Sequence, residues 1–120
     1  MLKNIPKIIP PELLKIFCEM GHGDELVIAD GNFPAASVGQ RVVYMSGSGA
    51  AEVFDAVLKL LPLDTYEKPL YLMEKVPGDN VETPIWDEYR DIAKKYTDAE
   101  FGGIERFAFY ERAKSAYAVI

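Results

Sequence analysis

The chain has 120 residues, 49% hydrophobic and 12% aromatic, which suits one compact domain and argues against disorder. A formal net charge of -6 disfavours nucleic acid or an anionic membrane as partner, since both need a basic face. No apolar run approaches the roughly 18 residues that a bilayer span requires, and the start MLKNIPKIIPPELL lacks the features of a signal peptide.

In chain order, Pro11 to Met20 reads as a helix, with proline in its first turn, Leu13, Leu14 and Phe17 on an apolar face, and Gly21 as its stop. Glu25 to Ala29 (ELVIA) reads as a short buried strand, ended by Asp30-Gly31-Asn32 and Pro34. Arg41 to Met45, rich in valine and tyrosine, predicts a second strand. Ser46-Gly47-Ser48-Gly49 is a turn into a helix that runs to about Leu61, with Val53, Phe54, Val57, Leu58, Leu60 and Leu61 at helical spacing. Pro62 closes that helix. Leu70 to Val76 is the third expected strand, stopped by Pro77-Gly78.

Thr83-Pro84 opens another helix, in which Ile85, Trp86, Tyr89, Ile92 and Ala93 share a face. Gly102-Gly103 interrupts the pattern, Arg106 to Lys114 predicts a short helix, and Ala116 to Ile120 is β-prone. The abrupt apolar end predicts that a longer edge of sheet is missing. With no repeat or linker, the expectation is a single α/β domain of three layers over residues 1–120, with a parallel or mixed sheet.

The chemistry-bearing residues are few. The single cysteine, Cys18, excludes an internal disulfide and reads as a packed small hydrophobe. With no export signal, the cytoplasm is the expected location. One cysteine and one histidine do not make a zinc site, and no EF-hand spacing occurs. Met20 and Met73 read as core filler. SGSG before a helix could cradle an anion, but it lacks the third glycine of a dinucleotide fingerprint and no Gly-Lys-Ser/Thr follows. An ordinary turn suffices.

The histidine, His22, sits in the stretch EMGHGDELVIADGNFPA. An unperturbed imidazole has a pKa of about 6.5, so it donates or accepts a proton near neutrality. The flanking glycines let a ligand approach; equally, GHGD is a helix-to-strand turn with an exposed ring. Asp24 either orients the imidazole or occupies that turn. Asp30 lies where the strand ends, a place where open α/β sheets hold ligands, or forms an Asx-turn before Gly31. A strand over 25–29 spans roughly 16 Å at about 3.3 Å per residue. One small ligand would then meet His22 and Asp30 only by fold-back of the loop or by sharing between subunits. Near the other end, Glu105 to Arg112 (ERFAFYER) interleaves aromatic and charged residues, suited to stacking on a sugar or to an amphipathic helix burying Phe107 and Tyr110.

GHGDELVIADGNFPA and ERFAFYERAKSAYAVI together resemble the RbsD/FucU family of sugar mutarotases, most of all its L-fucose branch, and PPELLKIFCEMGHGDE is similar to the same branch. The resemblance covers essentially all of the chain. It implies an α/β fold assembled as a decameric ring, with a monosaccharide, L-fucose by preference, as the substrate and no metal or organic cofactor. It implies His22 as proton donor and Asp30 and Arg106 as substrate-binding residues. Family members continue with a TGE strand and a Tyr-x-Asn segment, so the expectation is a mutarotase-like domain that lacks this strand segment. The alternative is a non-catalytic monosaccharide-binding or sensing module on the same fold; a ligand-free structural ring is a third.

Overall fold

The computed structural model describes residues 2–79 and 82–120. Along the chain run α1 (Pro11–Glu19), β1 (Leu26–Val27), α2 (Ala35–Val38), α3 (Ala50–Leu60), β2 (Tyr71–Met73), α4 (Pro84–Ala93), β3 (Gly102–Ile104), α5 (Arg106–Ser115) and β4 (Ala118–Val119). Helices and strands alternate except that α3 follows α2 directly, and the paired strands are parallel, within the expected parallel or mixed arrangement.

β1 pairs with β4, with Leu26 opposite Ala118 and Val27 opposite Val119. Hydrogen bonds carry the pairing further than the assigned strands, from the Glu25 carbonyl (accepting from Tyr117 N–H at 2.8 Å) to Ala29 N–H (donating to the Ile120 carbonyl at 3.1 Å). The expected span of 25–29 is therefore extended backbone. On the other side of β4, the Arg41 carbonyl accepts from Val119 N–H at 2.8 Å and Val43 N–H donates to the Val119 carbonyl at 2.9 Å. β4 is thus the centre of a small parallel arrangement.

Successive strand residues point to opposite faces, and the core follows that rule. Ala118 and Leu26 join Leu13 and Ile16 of α1, Val43 and Ala56 of α3 on one face. Val27 and Val119 join Ala113 and Ala116, with Phe33, Ala35, Val38 and Phe109 around them, on the other. Helices α1 and α3 therefore cover one face, and α2 and α5 the other. A third cluster joins Phe54 and Leu58 of α3, Leu70 and Ala93, with Tyr89, Phe101 and Ile28 around them. It connects the β1 end of the molecule to the pair β2–β3.

Four expectations need correction. The strand over Arg41–Met45 shrinks to a bridge at Val42, because Tyr44 swings outward (72% exposed) and Met45–Ser48 closes a turn. Residues 35–38, to which the sequence pattern assigned no element, form α2 after Pro34. Gly102-Gly103 is the start of β3 rather than an interruption. Its glycines are needed because a Cβ on Gly102 would lie 2.7 Å from the Tyr71 ring, and one on Gly103 would lie 2.9 Å from Glu74 Cγ. On α5 it is Ala113 and Phe109 that meet the core, while Phe107 is 66% exposed. Cys18 is exposed, not packed, since α1 turns Leu13 and Ile16 inward.

Candidate active site

The residues after α1 form a turn before β1. Gly21 N–H donates to Asp24 Oδ2 at 2.8 Å, and Asp24 N–H returns to the Gly21 carbonyl at 3.2 Å. Gly23 has φ +85°, a conformation that costs a residue with a side chain free energy and glycine almost none. Asp24 thus closes the turn, the plainer of its two expected roles. His22 rides at the tip, exposed to solvent.

His22 lines a cavity of about 730 Å³ between β1 and β2. Glu25 and Arg112 line it too, and they form a two-pronged ion pair there. Arg112 Nε lies 2.8 and 3.0 Å from the two Glu25 oxygens, and its Nη2 lies 2.6 Å from Oε2. The guanidinium also lies 4.3 Å from the centroid of the Tyr71 ring. Hydrogen bonding to Glu25, opposed by partial burial, holds Arg112 above its ordinary pKa, so it is a permanent cation. Apolar walls come from Phe54, Leu58, Phe101 and Phe109. Among the described residues no three His, Cys, Asp or Glu converge as a metal site would require.

Asp30 and Arg106 lie elsewhere. Neither lines that cavity. Asp30 Oδ1 accepts from Asn32 N–H at 2.9 Å, an Asx-turn at the exit of the β1 segment. Its other neighbour is α4: burial first, then the charges of Asp30 and Glu88, hold the Tyr89 phenol above its usual pKa. Arg106 opens α5, whose N-terminus is capped by Glu105 taking the N–H groups of Phe107 and Ala108, each at 3.0 Å. Those two bonds hold the Glu105 carboxyl below the usual range. Arg106 Nε donates to Tyr110 Oη at 3.1 Å. Tyr110 in turn meets Phe33 edge-on, with ring centroids 5.5 Å apart, so the Asp30 turn and the start of α5 are joined through aromatic rings.

The predicted trio is therefore divided within the chain. Asp30 and Arg106 gather at the carboxyl end of the β1 segment, where open parallel sheets place ligand groups. His22 stands at the amino end, beyond the extended residues 25–29. The loop does not fold back along the strand, because Glu25 is fixed by Tyr117 through its backbone and by Arg112 through its side chain. Sequence reasoning did not single out Glu25 and Arg112 as partners, although both lie in the quoted motifs. Nothing in a spacing of 87 residues announces a contact.

Fold and site define a small parallel α/β domain that carries one exposed imidazole on a glycine-flanked loop, with a carboxylate and a guanidinium at the opposite strand end. The RbsD / FucU transport protein family model matches residues 3–120, and the chain belongs to this family. It is 48% identical to the fucose mutarotase of Homo sapiens over 99% of this chain and 82% of that protein. It is 45% identical to the L-fucose mutarotase of Actinobacillus pleuropneumoniae over 100% of this chain and 85% of that one. Among solved structures, FucU from Bifidobacterium longum superposes with a TM-score of 0.93 at 61% identity, covering 97% of this chain and 85% of that one. The fucose mutarotase of Streptococcus pneumoniae, solved in complex with L-fucose, gives 0.90 at 41% identity over 98% of this chain and 86% of that one.

Proposed function

We propose that this protein is an L-fucose mutarotase, interconverting the α and β anomers of the free sugar. The observation that carries this is the likeness, over nearly the whole chain, to a fucose mutarotase solved with L-fucose bound. It is joined by the presence in this chain of an exposed imidazole able to do the chemistry. Anomers exchange when the hemiacetal opens: the C1–O5 bond breaks, the ring oxygen gains a proton and the anomeric hydroxyl gives one up to solvent water. Rotation about C1–C2 and closure on the other face return both protons. His22 donates the proton to the ring oxygen and takes it back on closure. Asp30 accepts hydrogen bonds from sugar hydroxyls, and Arg106 offers a planar fork of donors to an oxygen. The chemistry needs neither metal nor organic cofactor.

Because His22 and Asp30 lie at opposite ends of one extended segment, the working site is completed by a second copy of the chain. One subunit supplies His22 and its neighbour supplies Asp30 and Arg106. Exposed aromatic side chains support such an assembly, with Tyr44 at 72% and Phe107 at 66% exposure, the latter beside Arg106. A closed decameric ring is the expected form, and the cytoplasm the expected location. Among the described residues no helix is long and apolar enough to cross a membrane.

Saturation-transfer NMR on L-fucose tests the activity. Protein in catalytic amounts is expected to accelerate α/β exchange, and His22→Ala to lose roughly 10²- to 10⁴-fold of that acceleration, the scale of one positioned acid–base group. Saturable fucose binding with an unchanged exchange rate would instead establish a binding module.

A further inference from the structure

We propose that the Glu25–Arg112 pair is a positioning device that fixes the orientation of the His22 loop, an inference that rests on the mutarotase reading. The loop's own bonds, from Gly21 to Asp24, set the shape of the turn but not its placement on the domain. Placement comes from both flanks: before the loop Met20 packs against the core and Glu19 accepts from Tyr117 Oη, and after it stands Glu25, whose side chain reaches across the cavity. Glu25 is bound twice, by Tyr117 N–H at its carbonyl and by Arg112 at its carboxylate. Arg112 is itself held at two points: it grows from the second half of α5, and its guanidinium lies on the Tyr71 ring of β2. Tyr71 in turn lies against Gly102, the residue opposite it in β3. The His22 loop is thereby tied to α5 and to the β2–β3 pair across the cavity.

The side chains of Arg112 and Glu25 are 39% and 41% exposed, so solvent screens their attraction and the pair adds little to stability. Geometry is what it supplies. A forked guanidinium–carboxylate contact fixes both distance and angle, which a single-point lysine contact does not. Catalysis is sensitive to such placement: a displacement of about 1 Å at a reacting group costs about 100-fold in rate.

Two amino-acid singularities make the test clean. The chain has one histidine and one tryptophan, so the His22 ring and the Trp86 indole each give an unambiguous NMR signal. In Glu25→Gln and in the milder Arg112→Lys, which keeps the charge and the stem, the His22 signals are expected to shift and broaden while those of Trp86 stay. The rate of fucose exchange at saturation should fall about 10- to 100-fold with KM within about twofold. The reversed pair, Glu25→Arg with Arg112→Glu, should recover part of both. Tyr96→Phe, which weakens a contact between α3 and the turn after α4, serves as a control and should leave the His22 signals in place.

Unmoved His22 signals in both single variants would overturn the proposal. So would a loss expressed mainly as a rise in KM, which would make the pair a sugar contact. If the parent protein fails to accelerate exchange, the mutarotase reading falls, while the His22 signals still decide whether the tie orients the loop.

Discussion

At the residue scale, the side chains proposed to bind sugar also make structural contacts, and substitutions separate the two. Asp30 closes an Asx-turn through Oδ1. Asp30→Asn keeps an acceptor for that bond while removing the charge. The turn should survive and the KM for L-fucose should rise about tenfold, the equivalent of about 1.4 kcal/mol. Arg106 already shares its Nε with Tyr110, so what remains for a sugar is the outer edge of its fork. Arg106→Lys retains the charge but not the fork, and is expected to raise KM about tenfold with thermal stability unchanged. Steady-state exchange rates against sugar concentration check both.

At the element scale, α3 and the turn that follows α4 are held by more than apolar contact. Tyr96 Oη donates to Asp55 Oδ1 at 2.6 Å, and Lys59 and Lys95 sit 3.7 and 3.6 Å from the same carboxylate. The Tyr96 bond, against the opposing effect of burial, holds the Asp55 carboxyl below its ordinary value. The same bond pushes the Tyr96 phenol up to about 12. A lowered carboxylate contributes stability above its unfolded pKa of about 3.9 and loses it as pH falls through the lower folded value. A raised phenol contributes below its unfolded pKa of about 10, and that contribution is lost as pH rises toward the folded value. Tyr96→Phe should cost about 1 kcal/mol at neutral pH and flatten the alkaline loss of stability between about 10 and 12. Urea titrations at pH 7 and 11 measure it. Leu13, fully buried between α1 and β4, has no such redundancy. Leu13→Ala should cost about 2–5 kcal/mol in the same urea assay.

At the scale of the whole molecule, the division of the site sets a sharper expectation. Within one chain His22 and Asp30 lie at opposite ends of the extended residues 25–29, so the proposed site needs a neighbouring copy to bring them together. His22→Ala and Asp30→Ala proteins, each inactive, should regain activity when unfolded together and refolded as mixed oligomers. Random mixing leaves some interfaces with both intact halves. Light scattering on the parent protein should give an oligomeric mass in the same solutions. A fully active monomer would rule out the shared site.

The sequence by itself determined the local elements and the chemistry that they carry. Helical spacing with proline and glycine punctuation placed α1, α3 and α4, a short helix was expected over Arg106 to Lys114, and the glycine-flanked histidine was legible as a helix-to-strand turn. Where Gly102-Gly103 misled, the cause was tertiary: those glycines make room for Tyr71 and Glu74 on the neighbouring strand, and no local pattern records a neighbour's ring. The outward face of Phe107 and the exposure of Cys18 were decided in the same way, by which helix face met the sheet. Only the tertiary structure paired Glu25 with Arg112 and set His22 apart from Asp30 and Arg106. Contacts between residues far apart in the chain depend on how the parallel strands and their covering helices close on one another, and that closure is a property of the assembled core rather than of any segment.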